Sequence, residues 1–345
     1  MALSLRLVMA FTATLSLTTC TYAQSHTEQT AASAARDKMI GRFNEALSTQ
    51  NQPKFSILKT LNFQSSHYQE TIERLDARYT YPQGFQIDEE RELVYVLRYS
   101  NGRPTRGVIE KYHWKSGEIM MTYIIPEPQP TVSEGLVIKK ETDGDVAYIR
   151  SGNTLARLLL IDSPSGFGNT QRLGSVANNV AQSFYHKDNE WFVEKFKISK
   201  DSLGESRGRY MILDSEFNTI GEVTFAPQYA GYRNSEKWNI PKHQGFAVLD
   251  NGYAMTMGGY WDVRTKTSPY NYFGINFFDK NGKPIKSEYM SPEAFSAQIA
   301  EMGIQAYSIE NEGLQELKDG KLVTLQIIRT QGGRGGKLLF LLIEP

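Results

Sequence analysis

Gln83-Gly84-Phe85, Glu134-Gly135-Leu136, Gln182-Ser183-Phe184, Gln244-Gly245-Phe246 and Glu312-Gly313-Leu314 are five copies of one short motif. Their first residues stand 51, 48, 62 and 68 residues apart. Self-similarity at such a period marks an array of supersecondary units. Each copy is followed by a second strand-like run: Leu93 to Leu97, Val146 to Ile149, Trp191 to Val193, Tyr253 to Met255 and Leu322 to Leu325. A third run comes next, at Val108 to Trp114, Leu155 to Ile161, Tyr210 to Leu213, Tyr272 to Phe278 and Leu338 to Ile343. A fourth is visible in three copies, at Glu118 to Ile125, Thr219 to Phe225 and Pro284 to Tyr289. Turn signals such as Lys115-Ser116-Gly117 and Asp279-Lys280-Asn281-Gly282 separate the third from the fourth.

Four antiparallel strands per unit is the blade of a β-propeller, for which four to eight blades is usual. A lone blade leaves a face unburied, and packing blades around an axis buries it. The last unit stops at Pro345 without a fourth strand. Phe55 to Phe63 alternates like a strand and precedes the first motif. The expectation is therefore an all-β, five-bladed propeller over residues 53–345, closed by that N-terminal strand, which also removes exposed sheet edges. Inner strands crowd around the axis, so a Gly in each copy lets neighbouring backbones approach. Ser183 is the small substitute. The preceding Gln or Glu is expected to bond between adjacent blades.

Ahead of the repeats, residues 1–23 read as a signal peptide. Arg6 is basic, Leu7 to Leu17 is apolar but short for a membrane span, and Thr21-Tyr22-Ala23 ends on a small residue. Lipoprotein processing at Cys20 is the alternative, weakened by Thr19 where a smaller residue is usual. The expected localisation is export, to the periplasm or beyond. Cleavage after Ala23 leaves no Cys and hence no disulfide or thiol chemistry. Residues 24–52 are polar, with Met39, Phe43 and Leu47 at helical spacing, a leader either helical or partly ordered. Only Pro292 to Met302 looks helical again, with Ser291 as a fair N-cap. Lys plus Arg and Asp plus Glu both number 38, and this neutrality argues against a nucleic-acid partner. No later stretch is apolar enough for a transmembrane segment.

Units such as Tyr81-Pro82-Gln83-Gly84-Phe85 followed by Leu93-Val94-Tyr95-Val96 resemble the repeats of the helveticin J and teichoic-acid biosynthesis protein C group. The resemblance spans Phe55 to Pro345 and rests on repeat style. It implies an exported propeller associated with cell-wall polymers or bacteriocin-like activity, and it transfers no active site.

Candidate binding residues sit in the expected loops between second and third strands. All five loops carry Arg: Arg103 and Arg106, Arg150, Arg207, Arg264, and Arg329 with Arg334. Guanidinium forks match carboxylate and phosphate oxygens, so an anionic glycan or polyol-phosphate would suit that face. Arg paired with nearby acids for solubility is the plainer explanation. The fourth unit adds aromatic residues in its loops, among them Tyr232, Arg233 and Trp238 before the motif and Tyr260 and Trp261 after it. Aromatic faces stack on sugars and attract cations. His243 adjoins Gln244 at the expected channel mouth.

The ring of Gln83, Glu134, Gln182, Gln244 and Glu312 offers oxygen ligands of the kind Ca2+ accepts, with Glu134 and Glu312 as its only acids. Two acids are few for tight binding. No Gly-x-Ser-x-Gly, His-Glu-x-x-His or Cys nucleophile is present, and Gln331 to Gly336 lacks the Lys and Ser/Thr of a phosphate loop. Three readings follow. The first is a binding module for a cell-envelope glycan or anionic polymer. The second is a calcium-dependent hydrolase using the channel carboxylates. The third is a periplasmic inhibitor or immunity protein with a protein partner.

Overall fold

The computed structural model describes residues 52–101, 105–125, 130, 133–200, 206–225, 243–258, 260–262, 273–330 and 336–344. The signal peptide and leader expected over 1–51 lie outside them. No helix among the described residues is long and apolar enough to cross a membrane.

The described residues are mainly strand, arranged as consecutive four-stranded antiparallel meanders. The first comprises β2 (Thr80–Asp88), β3 (Leu93–Ser100), β4 (Gly107–His113) and β5 (Ile119–Ile125). The second comprises β6 (Val137–Glu141), β7 (Gly144–Ser151), β8 (Thr154–Ile161) and β9 (Phe167–Asn178). The third comprises β10 (Phe184–Lys187), β11 (Glu190–Lys200), β12 (Ser206–Leu213) and β13 (Thr219–Phe225). The fourth comprises β14 (His243–Leu249), β15 (Gly252–Gly258), β17 (Phe273–Phe278) and β18 (Pro284–Met290). The last joins β19 (Ser308–Glu316), β20 (Leu322–Arg329) and β21 (Gly336–Glu344) to β1 (Lys54–Asn62). β1 pairs antiparallel with β21, with Lys54 opposite Glu344 and Asn62 opposite Lys337, as the sequence predicts for the missing strand.

The first strand of every meander is innermost. β2 lies against β6, β10 against β14, β14 against β19, and β19 returns to β2. β6 and β10 meet where Gly135 faces the Phe184 ring, at which a Cβ would stand 2.5 Å from a ring carbon. A Cβ on Gly245 would stand 2.6 Å from the Gly313 carbonyl carbon. These are the close approaches expected of the motif glycines. Gly84 differs, because a Cβ there would find its nearest neighbours at 3.6 Å.

Between the meanders lie apolar layers. Phe85, Val94, Val96, Leu325 and Phe340 pack between first and last. Tyr148, Phe184 and Trp191 pack between second and third. One buried polar cluster is fully built. Arg98 and Glu110 are both fully buried and ion-paired at 2.6 Å. Tyr112 and Ser65 donate to the same carboxylate, and Arg98 reaches the Phe63 carbonyl. This cluster fastens the segment after β1 to the first meander.

Three features depart from the sequence expectations and one meets them. A helix, α1 (Tyr68–Arg74), follows β1, where none was expected. It is seven residues long with no side-chain N-cap bond, and tertiary packing of Tyr68 and Thr71 sustains it. The second helix, α2 (Pro292–Glu301), matches expectation, with Ser291 Oγ accepting from the Ala294 N–H. The second meander has a fourth strand that the sequence hides, β9. It also pairs in parallel with β5, joining the first two meanders into one eight-stranded sheet. Finally, Tyr260–Asp262 is not loop but a strand, β16, which pairs with the edge of β19 that β20 leaves free.

Candidate functional site

The structure separates the predicted residues into three groups. Arg103, Tyr232, Arg233, Trp238, Arg264 and Arg334 lie outside the described residues. So do the side chains of Arg207, Tyr260 and Trp261, although their backbones are in strands β12 and β16.

The described arginines are engaged by the fold. Arg106 donates to the Leu75 carbonyl at the end of α1. Arg329 closes β20 and lies over the Phe63 ring. Arg150 is a strand residue of β7 rather than a loop residue, and it is partly buried. The expected loop is shorter there because β7 and β8 pair to Ser151 and Thr154. Burial pulls the Arg150 guanidinium below its usual range, against the opposing charges of Tyr99 and Glu194.

The third group is the axial ring, all of it buried or nearly so. Gln83 Nε2 donates to Glu312 Oε1 at 2.7 Å, joining first and last meanders. Gln182 Nε2 donates to Glu134 Oε1 at 2.6 Å, joining second and third. These are the bonds between neighbouring units that the sequence predicts. Gln244 is fully buried and neither amide atom has a hydrogen-bond partner. Beside it, His243 Nε2 stands 3.5 Å from Glu194 Oε2 and 3.4 Å from Ser183 Oγ. Both neighbours address the same ring nitrogen. A nucleophile, base and orienting acid need opposite nitrogens of the ring, so this trio is not built as a catalytic triad. Among the described residues no group of three or more His, Cys, Asp and Glu is placed to hold a metal ion.

A cavity of about 460 Å3 opens at the other end of the axis. Its walls are the inner strands. Phe85, Leu136, Phe184, Phe246 and Leu314 supply apolar surface, and the buried Glu134 also lines it. The mouth is formed by turns between first and second strands, at Asp88 to Glu90, Lys187, Asp250, Leu317, Lys318 and Gly320.

Two amide clamps hold the wall rigid. Gln86 donates to the Ile138 carbonyl and accepts from its N–H, at 3.0 and 2.5 Å. Gln315 does the same to Ile87, at 2.8 and 2.7 Å. Each extends a backbone ladder between inner strands that do not otherwise pair. Across the cavity, Tyr185 OH accepts from the Glu316 N–H, and Lys187 bridges Asp250 and Glu316 at 2.6 and 2.5 Å.

The sequence reading missed this end. It placed the binding face on the loops between second and third strands, which antiparallel meanders carry at the opposite end. The acidic turn Asp88-Glu89-Glu90 was the available signal.

Comparison with solved structures places the fold. The tail fiber of Staphylococcus aureus phage P68 superposes with a TM-score of 0.55 at 13% identity, over 89% of this chain and 56% of that one. This is a propeller-like fold. A GH43_1 enzyme from Xanthomonas citri aligns with a TM-score of 0.42 at 9% identity, over 86% and 91% of the two chains. The Dos1 propeller aligns with a TM-score of 0.30 at 10% identity, over 77% and 59%. The chain thus spans a little over half the length of the tail fiber. No protein-family model and no curated protein sequence matches it.

Proposed function

We propose that this protein is an exported, five-bladed propeller that binds a polymer of the bacterial cell envelope. The axial cavity carries the reading. It is of ligand size, part of its wall is apolar, and charged groups gather at its mouth, so it joins apolar surface to convergent polar groups as ligand sites do. Closure by β1 supports a rigid ring, and the amide clamps hold the wall in one shape before any ligand arrives. The N-terminal sequence supports export, where such polymers are found. The group resembled by the repeats is consistent with the same surroundings.

Arginine loops contribute less to this reading than their sequence positions imply, because Arg106, Arg150 and Arg329 are spent on internal contacts. The cavity is the primary subsite and the loops are an accessory face. The test is retention of purified protein on peptidoglycan, teichoic acid and lipopolysaccharide in parallel. Retention on one of them, competed by its soluble fragments, is the expected result. No retention on any of the three overturns the proposal.

A further inference from the structure

The axial cavity is acidic, although the protein as a whole is neutral. Asp88, Glu89, Glu90, Glu134, Asp250 and Glu316 line it, against only Lys187 and Lys318. Six carboxylates and two ammonium groups leave a formal charge of −4 on the lining. His186, also in the wall, adds no compensating charge at neutral pH.

Asp88 is held by Arg91 at 2.6 Å and Glu134 accepts from Gln182, whereas the acids nearer the rim share two lysines. Lys187 serves both Asp250 and Glu316. Lys318 reaches Glu90 at 2.5 Å, while its backbone N–H donates to Glu89. Asp250 is 80% exposed and Glu90 74%, so these rim groups meet solvent directly. Glu134 is buried, 8% exposed.

A low-dielectric cleft lined by one sign of charge concentrates its field at the mouth and draws in ions of the opposite sign. The apolar part of the lining, from Leu136, Leu314 and the edges of the buried Phe rings, suits the apolar faces of sugar rings. An anionic polymer segment would be repelled from this cavity.

Resting on the envelope-polymer reading, we propose that the axial cavity selects an amine-bearing saccharide, a sugar unit whose amino group is free and protonated. The ammonium group sits among the rim carboxylates and the ring lies against the apolar part of the wall. Acetylation of the amine removes the charge and with it the selection.

The experiment is calorimetric titration of the full chain with a β-1,4-linked glucosamine hexamer, its fully N-acetylated counterpart and hexalysine. The titration is run at about pH 5.5, where the sugar amines are protonated. The free-amine hexamer should bind at least about tenfold more tightly than the acetylated one, and more tightly than hexalysine. Combining Glu89→Gln, Glu90→Gln and Asp250→Asn should shrink that preference to less than about threefold while leaving the far-ultraviolet spectrum unchanged, since these three groups are on the rim.

Equal binding of both hexamers, or a preference that survives the triple variant, overturns the amine selection and leaves the envelope reading standing. Hexalysine binding as tightly as the sugar amine also overturns it, by showing charge attraction alone. Binding of neither hexamer overturns it too. The retention assay on whole polymers then decides the broader reading separately.

Discussion

At the scale of single residues, the buried polar groups divide into those the fold consumes and those it exposes to the cavity. His186 is instructive because it does both. Burial, reinforced by the nearby Lys139 ammonium, pushes its pKa down to about 4 from an ordinary 6.5. The unfolded chain therefore binds a proton that the folded chain refuses between those values. Stability contributed by the neutral ring is complete above about pH 6.5 and is lost as pH falls towards 4, below which it changes no further. Discounted for partial exposure, the loss is about 1–2 kcal/mol. His186→Gln should flatten the dependence of the urea midpoint on pH across that window, and an unchanged slope would exclude His186 as its source. The axial Gln and Glu residues were legible in the sequence, because a repeated amide or carboxylate at one position needs a repeated partner. The cavity acids were not. Asp88, Glu89, Glu90 and Asp250 sit in ordinary turns, where charge is expected anyway, and only the ring brings those turns together.

Elements show where hydrophobic pattern suffices and where it fails. The second strands carry apolar runs such as Leu93 to Leu97 and the inner strands carry the repeated motif, so both stand out, whereas β9 carries Gln171, Arg172 and Ser175 and does not. Its Leu173 is the extra residue of a β-bulge. So are Met120 in β5, Ile220 in β13 and Ile285 in β18, each an exposed aliphatic. Bulges bend outer strands and discourage further pairing, at the cost of breaking the alternation by which strands are read. The motif glycines look alike in sequence and differ in the structure. Gly245→Ala would drive a methyl group to 2.6 Å from the Gly313 backbone and should destabilise by about 1–3 kcal/mol. Gly84→Ala meets nothing nearer than 3.6 Å and should change stability by less than about 0.5 kcal/mol. Urea denaturation of the two variants tests the contrast, and equal losses would mean that the inner strands are not spaced as described.

For the whole molecule, the decisive fact is that β1 completes a sheet whose other strands come from the far end of the chain. Lys54 lies opposite Glu344, so the start of β1 adjoins the end of β21. Chain continuity between β1 and the first meander is then a convenience, and the hydrogen-bonded pairing is the requirement. A permuted chain should exploit this. Beginning at Gln64, it would run to Glu344, pass through a two-residue Asn-Gly turn of the kind that joins antiparallel strands, and finish with residues 53–63. Phe63, whose carbonyl accepts from Arg98, remains at its new terminus. Moving a strand this way changes loop-closure entropy by only about 1 kcal/mol, so the permutant should melt within a few degrees of the chain 53–345. Deleting 53–63 without replacement instead uncovers the full length of β21, an apolar strand with Leu338, Leu339, Phe340 and Leu341 fully buried in the intact protein. That chain should aggregate or lose its cooperative melt, since an exposed apolar edge recruits further strands. Adding a synthetic peptide of residues 53–63 should restore solubility and the melt. If the deleted chain stays monomeric and melts as before, β1 is not what closes the ring, and the rigid axial cavity on which the binding proposal depends loses its foundation.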